Sequence, residues 1–116
     1  MRKIAILNCQ KALSVCTGAS CLKALHHRKG TFTRYENEDV ELVAFWYCNG
    51  CGVPLSDAGL QEKMETIKDL GVDTIHVGGC TRRANGVECK LITEMAENLS
   101  QDGIQIIRGT HPMNEN

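Results

Sequence analysis

The chain has 116 residues, 42 % of them hydrophobic, with 13 basic and 14 acidic residues and a net charge of -1. That profile fits one ordinary globular domain over residues 1–116 with enough apolar matter for a real core. No basic block or aromatic–basic stripe points to nucleic acid, no polybasic face points to an anionic membrane, and no apolar segment approaches the roughly 20 residues of a membrane span.

Lys3 to Leu7 is apolar and β-branched enough for a first strand buried on both faces, and Asn8-Cys9 ends it. Gln10 to Val15 reads as a helical turn or a loop. Gly18 breaks the chain between Cys16 and Cys21, and Ser20 is placed to cap a short helix through Leu22, Ala24 and Leu25. Gly30 is expected to stop that helix, with His26 and His27 in the last turn, where cations suit the helix dipole. Thr31 to Asp39 reads as an irregular connection carrying Phe32 and Tyr35. Val40 to Tyr47 is the strongest strand pattern in the chain, and the turn Cys48-Asn49-Gly50-Cys51 follows it. Ser56 or Asp57 caps a helix whose apolar face is Leu60, Met64, Ile67 and Leu70, and Gly71 ends it. Asp73 to Gly79 is a third strand, leading directly to Cys80. After a polar turn over Thr81 to Gly86, a further helix carries Leu91, Ile92, Met95, Ala96 and Leu99 on one face. Gly103 ends it, Ile104 to Ile107 forms the last strand, and Gly109-Thr110-His111-Pro112 follows. The last residues are polar and expected to fray.

Strands alternating with helices predict an α/β domain of three layers: a short, mostly parallel sheet of flavodoxin-like or Rossmann-like order 2-1-3-4 with helices on both faces. Neither a GxGxxG fingerprint nor a Walker motif is present. In such a sheet all strand ends lie on one edge, with neighbours roughly 4.8 Å apart. Cys9, Cys48 with Cys51, and Cys80 follow the first three strands, and His111 follows the fourth. Cys16, Cys21 and Cys89 fall in the following loops or first helical turns of the same edge. The seven cysteines fall below the roughly 8–10 % density of a disulfide scaffold and are odd in number. The N-terminal apolar run is too short for a signal peptide, so a cytoplasmic location is expected, where cysteine clusters serve metal binding or redox chemistry. A buried cysteine also serves simply as a small hydrophobe, and Cys16 and Cys89 read equally well that way. His76, inside a strand, reads as a core residue. Arg82, with Arg83 beside it, is a candidate for holding a small anionic ligand over the same edge.

These cysteines, the Cys-x-Gly-Cys turn and the closing Gly109-Thr110-His111 resemble the CGGC domain family of small cysteine-rich proteins over nearly the whole chain. The resemblance implies zinc binding, with Cys9, Cys48, Cys51, Cys80 and His111 as the site and Cys16, Cys21 and Cys89 as further candidates. Two positions differ from the family pattern. Asn49 stands where the motif has its first glycine, and Asn also tolerates left-handed backbone. Lys90-Leu91 follows Cys89 where a Pro-His-like continuation is expected, so a histidine ligand is absent there.

Three functions compete at this point. A zinc protein needs four ligands at roughly 2.0–2.3 Å, and the chain offers more than four. An iron–sulfur protein in electron transfer or sulfur chemistry would use the same thiolates, although their spacing matches no ferredoxin run. A metal-free Cys-x-x-Cys thiol oxidoreductase, acting with a redox partner, is the third, but Pro54 and Ser56 delay the next helix. No Ser/His/Asp arrangement or pair of carboxylates suggests a hydrolase.

Overall fold

A computed structural model describes residues 1–82 and 85–112 of the chain. Arg83 and the expected fraying of the last residues lie outside those described. Four strands, β1 (Arg2–Asn8), β2 (Val40–Tyr47), β3 (Thr74–Val77) and β4 (Gln105–Arg108), form one sheet in the order β2-β1-β3-β4. Every pairing is parallel. Three helices, α1 (Ala19–His27), α2 (Ala58–Asp69) and α3 (Lys90–Gln101), connect the strands. The predicted order and the three-layer α/β class therefore hold.

Alternation along β1 divides the core in two. Ala5 and Leu7 face the side covered by α2 and α3, where Leu60, Met64, Ile67, Leu91, Ile92, Met95 and Leu99 pack. Ile4 and Ile6 face the other side, with Ala24 and Leu25 of α1 and with Phe32 and Tyr35. Burial of each such side chain stabilises the fold by about 1.5–3 kcal/mol before chain entropy is subtracted.

Several local expectations change. Ser20 does not cap α1. Gly18 takes that position in left-handed backbone, and the Ala19 N–H donates to Thr17 Oγ1. The helix closes at Arg28, not Gly30. Arg28 adopts φ 55°, and its guanidinium donates to the carbonyls of Leu25, Tyr35 and Glu38, which holds a conformation ordinarily left to glycine. Gly30 instead lies under the C-terminal segment, where a Cβ would overlap the Thr110 carbonyl. Thr31 to Asp39 is more ordered than expected, with a 3-10 turn over Gly30–Tyr35 that buries Phe32 and Tyr35. Asp57, not Ser56, caps α2, accepting the Leu60 N–H. Leu70 is exposed, because the helix has ended at Asp69.

As the predicted order requires, β2 is an edge strand, half-buried along most of its length. Its pairing with β1 slips, since Ile4 faces Leu42 but Ala5 faces Ala44, and Val43 is the extra residue of a β-bulge. Val40 and Leu42 pack on the α1 side, whereas Trp46 and Cys48 pack on the α2/α3 side. Without the bulge, Cys48 would share the face of Val40 and Leu42.

Candidate metal centre

Because β1 lies between β2 and β3, its C-terminal end is flanked by the ends of both neighbours. Two consecutive amides there point at sulfur. The Cys9 N–H donates to Cys80 Sγ at 3.4 Å, and the Gln10 N–H donates to Cys48 Sγ at 3.5 Å. Cys80 follows β3 and Cys48 follows β2. A hydrogen bond received by sulfur favours the thiolate that metals require.

The Cys80 thiol donates in turn to Asn8 Oδ1 at 3.3 Å. Asn8 is buried, and its Nδ2 has no hydrogen-bond partner among the described residues. A buried polar group left unpaired costs about 1–3 kcal/mol. Rotation of that amide offers the N–H to Cys80 once the sulfur is a thiolate, so the orphaned donor suits a charged sulfur better than a neutral one. Gly78 makes the approach possible. Its φ of -63° is open to any residue, but a Cβ there would overlap Asn8 Oδ1.

Cys80 is exposed as a residue, but partial desolvation of its sulfur raises its pKa. The Cys9 N–H opposes that rise, and the neighbouring Cys9, Cys21 and Cys16 sulfurs add to it. Burial also raises Cys21, whose sulfur lies 3.1 Å from Thr110 Oγ1, a hydrogen bond that acts in the opposite direction, while Cys16 adds to the rise. A nearby cation would offset the rise at Cys80 and Cys21 by favouring their thiolates.

The other candidates lie near this group or apart from it. Cys16 is exposed and accepts the Gly18 N–H at 3.3 Å. Cys51 is exposed in the turn after Cys48. Cys89, at the N-cap of α3, packs against the α2/α3 core. His111 Nδ1 lies 3.1 Å from the Pro112 carbonyl. Arg82 is exposed and forms an antiparallel bridge with Glu88. Hydrogen bonds thus bring the Cys48 and Cys80 sulfurs to the Cys9 and Gln10 amides at the end of β1. No hydrogen bond among the described residues ties Cys16, Cys21, Cys51, Cys89 or His111 to them. The donors suit a thiophilic metal, but among the described residues no three Cys, His, Asp or Glu side chains already stand as a coordination shell.

A family model described as CGGC domain matches residues 3–111. The chain belongs to the CGGC domain family. A relative of this CGGC domain in Methanocaldococcus jannaschii, "Uncharacterized protein MJ0582", is 35 % identical over 120 aligned residues, covering 96 % of this chain and 88 % of that protein. No solved structure matches this CGGC domain. Among the described residues, no helix is long and apolar enough to cross a membrane.

Sequence reading assigned no role to Asn8, Gln10, Gly78 or Thr110. An asparagine closing an apolar strand and a glycine just ahead of Cys80 are local signals that were available. The contact between Cys21 and Thr110 joins positions 89 residues apart and leaves no such trace.

Proposed function

We propose that this CGGC domain binds a thiophilic metal ion, zinc in the simplest case, at the C-terminal end of β1. Cys9, Cys48 and Cys80 are the anchoring ligands, and a loop thiol, Cys16 or Cys51, completes the set. The reading is supported chiefly by the two consecutive amides just after β1, directed at the Cys80 and Cys48 sulfurs. The orphaned Asn8 amide beside Cys80 adds to it. Closing the shell requires movement of Cys16 or Cys51, both of which are exposed.

Metal analysis of anaerobically purified protein tests the proposal. One zinc per chain is expected in the parent protein, less than half of that in Cys9→Ser, Cys48→Ser or Cys80→Ser, and full occupancy in Cys89→Ser. Occupancy untouched by both Cys9→Ser and Cys80→Ser would rule the site out. Visible absorbance and iron in place of zinc in the same preparation would assign the thiolates to a cluster instead. A metal-free Cys-x-x-Cys oxidoreductase is less well supported. Cys48 is buried and α2 begins only at Ala58, so no helix N-terminus activates the pair.

A further inference from the structure

Beyond the ends of β3 and β4 lies a cavity of about 260 Å³, bounded by Gly78, Gly79, Arg82, Arg108 and His111. All of its charged or ionisable lining residues are basic. On the other side of His111 and Pro112 a second cavity, about 340 Å³, is lined by Lys23, His27 and Lys29 and again by no carboxylate. Acidic residues outnumber basic ones in the chain, 14 to 13, so linings of a single sign are not what composition alone would produce. Cationic groups have been concentrated at one rim of a nearly neutral protein.

Arg108 is held from outside by Glu88, whose two carboxylate oxygens accept from Nε at 3.1 Å and Nη2 at 3.2 Å. Burial works against the charge on Glu88, but Arg108 and Thr93 keep its carboxyl below the usual range. That pair fixes the Arg108 guanidinium and offsets much of its charge. Glu88 also feels the charge of Arg82, its backbone-bridge partner, but makes no side-chain hydrogen bond to it among the described residues. Arg82 and His111 are therefore left as the principal groups for a bound anion, with Lys23 and Lys29 adding to the attractive field. The place is the crevice beyond the carboxyl ends of the strands, where open α/β sheets take their ligands. Cys80 lies in sequence between Gly79 and Thr81, two of the lining residues, so a molecule held there is close to the thiol rim.

The geometry points to this cavity as a binding site for a compact oxyanion, either free phosphate or the phosphate end of a small monoester, held by Arg82 and His111. The inference stands independently of the metal, because none of the residues that carry it is a proposed thiol ligand.

The test is a titration of the full chain with inorganic phosphate, glycerol phosphate and, at matched ionic strength, chloride, read by amide chemical shifts. Saturable shifts confined to Gly78, Gly79, Arg82 and Gly109 are expected with phosphate or glycerol phosphate but not with chloride. Tighter binding of glycerol phosphate identifies a monoester as the natural source, and tighter binding of phosphate identifies the free ion. Arg82→Gln and His111→Gln are each expected to weaken binding at least tenfold, with Arg82→Lys recovering part of the loss and Lys68→Gln, on α2, behaving as the parent. Shifts that follow ionic strength across the whole surface, or Arg82→Gln titrating like the parent, would overturn the inference. Zinc occupancy is a separate readout, so loss of one proposal leaves the other standing.

Discussion

His76 shows how one buried residue ties the second core to the C-terminal segment. It has no solvent exposure, and both ring nitrogens are engaged. Thr31 Oγ1 donates to the Gly109 carbonyl at 2.7 Å, so it must accept from His76 Nδ1 at 2.9 Å. Nε2 is then unprotonated and accepts from the Tyr35 hydroxyl at 2.7 Å. This chain of donors assigns the Nδ1–H tautomer and satisfies every member. Burial lowers the His76 pKa from 6.5 to about 4, because a second proton would place a charge in the core. The unfolded chain takes up that proton near pH 6.5, and the folded one does not until near pH 4. Stability is therefore fully present above pH 6.5 and falls as pH drops toward 4, by roughly 3 kcal/mol in all. Urea unfolding at pH 7, 5.5 and 4 should show that decline. His76→Gln, which carries no proton to take up, should flatten the pH dependence even if it lowers stability at pH 7. His76 is legible in the sequence as a core residue, since it lies mid-strand, but its partners come from segments 41 and 45 residues away.

Helix α2 is tied through its cap to the turn that carries Cys48 and Cys51. Its cap, Asp57, accepts both from the Leu60 N–H at 3.0 Å and from Asn49 Nδ2 at 2.9 Å. The first bond satisfies a helix-end amide, and the second fastens the turn between Cys48 and Cys51 to the helix. The Asn49 hydrogen bond, then the Leu60 amide, hold the Asp57 carboxyl below its usual range. Asp57→Ala should lower the melting temperature by roughly 4–8 °C. It should also weaken zinc binding more than Glu62→Ala does, since Glu62 lies on the same helix away from the turn. Asp57→Asn, which keeps the acceptor, should recover most of both losses. The helix and its cap region were readable from capping chemistry and the spacing of Leu60, Met64 and Ile67. The use of Asn49 as the second partner was not, because only the folded turn brings its side chain to the helix end.

For the whole molecule, the proposed metal and the fold are thermodynamically linked. A ligand that binds the folded state alone adds about 2.7 kcal/mol at a free concentration one hundred times its Kd. Zinc at that level should raise the melting temperature of the parent protein and leave Cys80→Ser nearly unmoved, a comparison that scanning calorimetry makes directly. Strand–helix alternation, the helix faces and the strand order were all determined by the sequence alone, because local periodicity and right-handed crossovers leave a chain this short few alternatives. Delivery of Cys9, Cys48 and Cys80 to a common edge follows from the same parallel order. The tertiary structure alone decided which face each sulfur occupies. The run Val40 to Tyr47 is apolar at nearly every position, so no alternation betrays the extra residue at Val43 that turns Trp46 and Cys48 toward α2 and α3. Nor does any local pattern specify that two adjacent amides just after β1 meet sulfurs that follow both flanking strands. That arrangement arises only when pairing of distant segments makes β1 a central strand.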